Sequence, residues 1–237
     1  MNNLINDLHL ITGGGAEQDP NQWWEAIRDA TRQVLADEPV PTATICAVSV
    51  TSQWSGTVAV VADGNAIGNA IIWMDTRGAP YVEELIGGPV RVQGYDIRKA
   101  RKWIQLTGGA PTTGGKDPIA HILVLRNERP DAYRQTSLFL EPKDYINFRL
   151  TGQAKASFDS ITLHWLTDNR DPKAIDYHDD LLAYADLDRS LLPDLVPATS
   201  VIGTLTAVAA NDLGIDAGIP VLGGTPDVHS AAIGAGT

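Results

Sequence analysis

Several features that would narrow the chemistry quickly are scarce in this sequence. Its 237 residues include one cysteine, Cys46, so no disulfide can form within the chain. Cys46 sits in the apolar run "ATICAVSV", where a lone cysteine reads as a small buried hydrophobe rather than a nucleophile. The five histidines (His9, His121, His164, His178 and His229) are scattered, and no pair has the HExxH spacing of a metal site. Basic residues are few: 18 Lys and Arg stand against 29 Asp and Glu, a net charge of −11. Phosphate backbones and anionic membranes reward clustered Lys and Arg, so neither nucleic acid nor a membrane is expected as a partner. The most basic stretch, "RVQGYDIRKARKW" from Arg91 to Trp103, reads as the solvated side of a helix. No apolar run approaches the roughly 20 residues that cross a bilayer. The opening "MNNLINDLHLITGGG" lacks the basic and apolar regions of a signal peptide, so a soluble, cytoplasmic protein is expected. There is also no GxSxG elbow, no GxxxxGK[ST] loop and no GxGxxG after a strand, which removes support for acyl transfer and dinucleotide chemistry.

What is present suits a globular α/β chain, with 43% hydrophobic and 20% charged residues. After Gly13–Gly15, Asp19 can cap a helix that has Pro20 at its first position. Trp23, Ile27, Ala30 and Val34 give that helix an apolar stripe, and Pro39 and Pro41 end it. "TATICAVSVTS" reads as a strand covered on both faces. "GTVAVVADGNAIGNAIIWMDTR" reads as two strands about an Asp63–Gly64 turn. Residues 80–103 are patterned as an amphipathic helix, and "LTGGAPTTGGKDP" as a loop. "IAHILVLRNERPDAYRQ" and "EPKDYINFRLTG" are helical, the second opening with Pro142 and closing on Gly152. Residues 154–200 carry short helical patterns on the surface, and "IPVLGG" is a buried strand. Alternating strands and helices predict an α/β fold with a mixed sheet, and no composition break divides residues 1–237 into two domains.

Three segments could carry chemistry. In "GGTPDVHSAAIGAG", Gly223 and Gly224 allow a tight turn and close backbone approach at a strand end. Thr225 would cap the following helix, with Pro226 first and Asp227 second. The helix N-terminus favours an ionised Asp227, able to accept a proton from a hydroxyl or to hold Mg²⁺, or simply to complement the helix dipole. In "IIWMDTR", a strand running through Arg77 would put Trp73, Asp75 and Arg77 on one face, either as a wall for a polyhydroxylated ligand or as an ion pair beside a core tryptophan. In "TSQWSG", Gln53 is the residue to single out at a strand end, where turn chemistry is an equal alternative.

Taken in order, "EQDPNQWW", "SQWSG", "IIWMDTR", "EPKDYINFRLTG", "SFDS" (Ser157–Ser160) and "GGTPDVHSAAIGAG" resemble the FGGY carbohydrate kinases, and within them the xylulose kinase branch. The resemblance covers most of that family's N-terminal domain and implies an actin-like, ribonuclease-H-like α/β fold. It implies transfer of the γ-phosphoryl of ATP, with Mg²⁺, to a ketose or polyol hydroxyl, with Asp227 as general base and metal-side carboxylate. It further implies sugar contacts from Gln53, Trp54, Ser55, Gly56, Trp73, Asp75 and Arg77, and a cofactor-side turn at Gly223, Gly224 and Thr225. Ser55 departs from the histidine usual in xylulose kinases, which leaves the sugar open. The family's first phosphate loop with its hairpin and its second, nucleotide-binding domain have no counterpart in the chain, so little kinase activity is expected of it alone. The alternatives carried with that reading are a non-catalytic sugar-binding fragment, one half of a split kinase completed by a C-terminal kinase domain or a second copy, and an α/β scaffold without a ligand.

Overall fold

The computed structural model describes residues 6–37 and 41–236. In chain order its elements are strands β1 (His9–Ile11) and β2 (Gly15–Gln18), helix α1 (Pro20–Asp37), strands β3 (Val58–Val60) and β4 (Ala70–Ile71), and helix α2 (Ala79–Ile86). There follow β5 (Arg91–Val92), β6 (Tyr95–Asp96), α3 (Ile97–Thr107), α4 (Pro118–Glu128), α5 (Pro130–Gln135), β7 (Leu138–Leu140) and α6 (Pro142–Thr151). The last third holds β8 (Lys155–Ser157), α7 (Phe158–Ile161), β9 (Thr167–Asp168), β10 (Asp176–Tyr177), α8 (Asp179–Ala185), β11 (Asp194–Val196), β12 (Val201–Thr204), α9 (Ala207–Leu213), β13 (Pro220–Leu222) and α10 (Asp227–Gly234).

Strand pairing is mixed, as expected. β1, β2 and β4 form an antiparallel run. Reciprocal backbone bonds between Thr57 and Ile71 (2.8 and 3.0 Å) join β4 to the start of β3, which pairs antiparallel with β7. β8 and β11 are parallel. β12 and β13 are antiparallel, and β13 takes a parallel bridge from Val48 on its other side. The hairpin expected around Asp63–Gly64 is present: Gly64 N–H donates to Val61 (2.9 Å) and Asp63 caps the Asn65 amide.

Two apolar clusters fill the interior. One is built on α4, whose residues Pro118–Leu125 are buried on every side because its sequence is apolar all round. Trp103, Leu166, Leu181 and Leu182 pack into it, so residues 154–200 supply core as well as surface. The other gathers Trp23, Trp24, Tyr145, Ile146, Leu150 and Val221 between α1, α6 and β13. Each fully buried side chain of this size contributes about 1.5–3 kcal/mol.

Several expectations fail for identifiable reasons. Residues 80–103 do not form one helix: Gly87, Gly88 and Pro89 end α2, and a tight turn at Gln93–Gly94, both at positive φ, makes the β5–β6 hairpin before α3. "TATICAVSVTS" is not a strand covered on both faces. Thr42–Thr44 is a short 3-10 turn, and only Val48 bridges to β13, while Cys46, Ala47 and Ser49 are exposed. Its other edge has no ladder partner among the described residues, so apolar composition does not translate into burial. Cys46 is therefore expected to react stoichiometrically with a thiol reagent such as dithiobisnitrobenzoate in the folded chain. Protection until denaturation would contradict that placement. The helix expected after Asp19 is present over Pro20–Asp37, although Val34 on its stripe is exposed; Pro39, expected to end it, lies outside the described residues.

Candidate active site

Asp227 is the first residue of α10 and is exposed. Its amide donates to the Ser52 carbonyl (2.8 Å), and its Oδ1 accepts the Val228 amide (2.8 Å), which leaves the second carboxylate oxygen open to solvent. The cap is shifted by one residue from the expected position. Pro226 is the N-cap, and Thr225 does not cap the helix, because its hydroxyl donates to Asp159 instead.

The turn before Asp227 is pinned from several directions. Gly223 and Gly224 amides donate to Ser200 and Ala198 carbonyls (both 2.9 Å), and the Thr225 amide to Val50 (3.3 Å). Gly224 has φ +69°, and a Cβ there would sit 2.2 Å from the Val50 carbonyl oxygen, so only glycine fits. Because all three amides donate inside the fold, the turn can approach a ligand closely but has no free backbone donors for a phosphate.

The "SQWSG" loop lies against α10. Trp54 packs edge-on to His229 (ring centroids 4.9 Å apart) and its indole donates to the Ser160 carbonyl (3.0 Å). Gln53 donates to Gln18 (2.9 Å), and Thr51 and Ser230 hydroxyls meet at 2.8 Å. Ser55 adopts φ +62° and donates to the Lys116 carbonyl (2.7 Å); the Gly56 amide donates to Glu141 (3.0 Å). A cavity of about 590 Å³ opens beside Gln18, Trp23, Ser52, Gln53, Pro142 and Ile146, and Asp227 does not line it.

Trp73, Asp75 and Arg77 do not share a strand face. The strand stops at Ile71, a turn closed by the Asp75 amide onto Ile72 follows, and Trp73 is 48% exposed while Asp75 is fully buried. Asp75 accepts the amides of Ala16 and Arg77 (both 2.9 Å) and the Arg77 guanidinium (2.6 Å), which also reaches Glu17 (2.7 Å). Burial opposes its charge, yet Asp75 and Glu17 hold Arg77 above its ordinary value. This is a brace between β2 and the Trp73 turn, and no hydrogen bond or ion pair among the described residues joins it to Asp227.

Sequence reasoning missed a buried polar cluster at the start of α6. Lys143 is 1% and Asp144 0% exposed, and they pair with each other. Asp144 also accepts from Ser160 (2.6 Å), while Lys143 and Asn147 both donate to the Gly223 carbonyl (2.8 Å each). Burial raises Asp144 despite Lys143, and raises Glu141 well above the usual carboxylate range. The available signal was the Lys-Asp pair inside a helix otherwise patterned for burial, since Lys and Asp are almost never fully buried unless paired.

Two buried imidazoles lie behind this cluster. Burial pushes His121 down to about 4 and His164 to about 3. Both are neutral in the folded chain and protonate near 6.5 when it unfolds. Their contribution is therefore complete above pH 6.5 and is lost as the pH falls toward 4. Glu141 acts in the opposite sense, its contribution declining as pH rises above the ordinary carboxylate value. His121→Gln is expected to remove about 3 kcal/mol from the stability difference between pH 7 and pH 4, measured by urea unfolding at both pH values; an unchanged difference would contradict a neutral buried His121.

Asp227 offers one hard oxygen, which suits Mg²⁺ held mainly by water and phosphate oxygens. No group of three or more potential ligands among His, Cys, Asp and Glu occurs among the described residues. No helix among them is long and apolar enough to cross a membrane.

Several known proteins are similar to this chain. Residues 4–234 match the model of the "FGGY family of carbohydrate kinases, N-terminal domain". A xylulose kinase of Streptomyces rubiginosus is 31% identical over 232 residues, covering 96% of this chain and 44% of that protein. The Escherichia coli K12 xylulose kinase is 29% identical over 222 residues, covering 93% of this chain and 42% of that protein. The solved xylulose kinase of Rhodospirillum rubrum superposes with a TM-score of 0.79 at 24% identity, over 98% of this chain and 45% of that one. The chain thus spans less than half the length of the relatives it matches. The structural likeness bears out the expected actin-like α/β fold.

Proposed function

The chain belongs to the FGGY family of carbohydrate kinases, and from that premise we propose that it is the sugar-binding part of an ATP-dependent kinase acting on a ketose or polyol, most like the xylulose kinases. The observation that carries this reading is Asp227: an exposed carboxylate at a helix N-terminus, aimed outward by a glycine turn and tethered through its amide to the loop that presents Trp54. In this reading the free oxygen of Asp227 would accept the proton of the sugar hydroxyl as the hydroxyl oxygen attacks the γ-phosphorus, whose bond to the bridging oxygen breaks to release ADP. Phosphoryl transfer asks the protein mainly for positioning and charge neutralisation, so one well-aimed acceptor is the chemistry this part needs to supply. Bound ATP with Mg²⁺ would supply the phosphoryl group and neutralise its charge, and Asp227 is the carboxylate that would face the metal.

Trp54 and Trp73 offer apolar ring faces for the carbon side of a sugar, and Gln53 an amide for a hydroxyl. Asp75 and Arg77 act in this reading through the turn that carries Trp73, because they bond to each other, and to the Ala16 amide and the Glu17 carboxylate of β2. Gly223, Gly224 and Thr225 contribute close approach rather than donors. We take residues 1–237 as one sugar-binding domain, working with a nucleotide-binding domain. The proposed compartment is the cytoplasm.

Calorimetric titration with D-xylulose, other pentuloses and polyols tests the reading. Binding of at least one sugar in the millimolar range or tighter is expected, weakened by Trp54→Ala; no binding across the panel would favour a scaffold without a ligand.

A further inference from the structure

Two donors, one of them a buried ammonium, converge on the carbonyl of Gly223. Lys143 Nζ and Asn147 Nδ2, one helical turn apart on α6, each lie 2.8 Å from that oxygen. Gly223 follows the last residue of β13, and only Gly224, Thr225 and Pro226 separate it from Asp227. A buried ammonium is tolerated only with a partner, and here Asp144 provides it, itself held by the Ser160 hydroxyl at 2.6 Å. The same α7 segment reaches the site twice more: Asp159 accepts from Thr225, and the Ser160 carbonyl accepts the Trp54 indole. One residue before α6, Glu141 accepts the Gly56 amide. Both walls of the site, the turn before Asp227 and the loop of Trp54, are therefore tied to a single helix start.

We propose that Lys143 and Asn147 are positioning residues, which fix the Gly223 carbonyl and through the Gly223–Pro226 turn set the direction of Asp227 toward the sugar. The proposal rests on the reading of Asp227 as the sugar-side base. A single backbone donor would satisfy one strand-end carbonyl. Using an ammonium and an amide, with a second buried charge to balance the ammonium, gives that turn a rigidity that satisfaction alone does not require.

The test compares the unmodified chain with Asn147→Ala and with the double variant Lys143→Met/Asp144→Asn, which removes both buried charges together. Amide exchange at residues 225–230 is expected to quicken at least ten-fold in each variant, while exchange in α4 stays unchanged. Unchanged exchange at residues 225–230 overturns the proposal. So does a uniform rise across α4 and α10, which is what loss of general stability would produce. If the double variant does not fold, Asn147→Ala decides the matter by the same two segments. Failure of the unmodified chain to bind D-xylulose or any related sugar overturns the sugar-site reading, whereas the exchange comparison decides the pinning of the turn separately.

Discussion

Asp227→Asn is expected to lower the turnover number about 10²–10⁴-fold, with the KM for sugar nearly unchanged, when the chain is assayed together with a nucleotide-binding domain. The asparagine keeps the shape and the Val228 contact but cannot take a proton at neutral pH. Its loss should therefore fall on the chemical step rather than on sugar binding. The split between kcat and KM is what separates a base from a helix-dipole residue. An aspartate that only complements the α10 dipole contributes about 0.3–1 kcal/mol to stability, and its replacement would leave turnover intact. Steady-state kinetics in ATP and sugar, with thermal unfolding in parallel, measure both; unchanged kcat would exclude Asp227 as the base.

The second large effect concerns stability. Lys143→Met alone leaves the Asp144 carboxyl fully buried without a compensating cation, with neutral donors from Ser160 and Ser157 as its partners, and is expected to destabilise the chain by about 3–5 kcal/mol. Lys143→Met/Asp144→Asn removes both charges and is expected to recover most of that loss, because a neutral pair escapes the penalty of an unpaired buried ion. Burial already raises Asp144 in the intact pair, so the single variant should take up a proton on folding and be relatively more stable at pH 5 than at pH 8. The sign follows from a raised folded value: stability is present below the unfolded carboxylate range and falls as pH rises through the folded one. Denaturant unfolding of the three proteins at the two pH values checks this. A double variant as unstable as the single one would show that the ammonium's contacts with Gly223, and not charge balance, dominate.

Local chemistry was legible where the residues themselves dictate conformation. Pro142 and Gly152 bound α6, and Gly152 occupies the left-handed region, as the reading of "EPKDYINFRLTG" required. The glycine pair at the strand end pointed to a tight turn, and Gly224 takes a positive φ there, although the Val50 carbonyl that excludes a Cβ was not legible. Long-range pairing was not legible. "ATICAVSV" has the composition of a covered strand, but coverage depends on a neighbour on each edge, and the sequence of one strand cannot say whether both are there. The same limit applies to "IIWMDTR". Alternation assumed a continuing strand, whereas the demand of Asp75 for the Ala16 amide and the Arg77 side chain turns the chain away and leaves Trp73 outside. The Lys143–Asn147 clamp escaped notice because its partner, Gly223, lies 80 residues further along the chain from Lys143.

The family resemblance tied together segments whose physical connection emerges only in three dimensions. "SFDS", "EPKD", "SQWSG" and "GGTPD" are distant in sequence, yet Ser160 touches Asp144 and Trp54, Glu141 touches Gly56, and Asp159 touches Thr225. Their co-occurrence follows from one requirement, that an outward carboxylate and an aromatic loop be held by a common buried frame.

A crystal structure of the chain soaked with D-xylulose would test the central claim most directly. A sugar hydroxyl within about 2.6–3.2 Å of the free Asp227 oxygen, with the Trp54 loop beside the ring carbons, is the predicted result. A sugar bound elsewhere, with Asp227 facing open solvent, would contradict it.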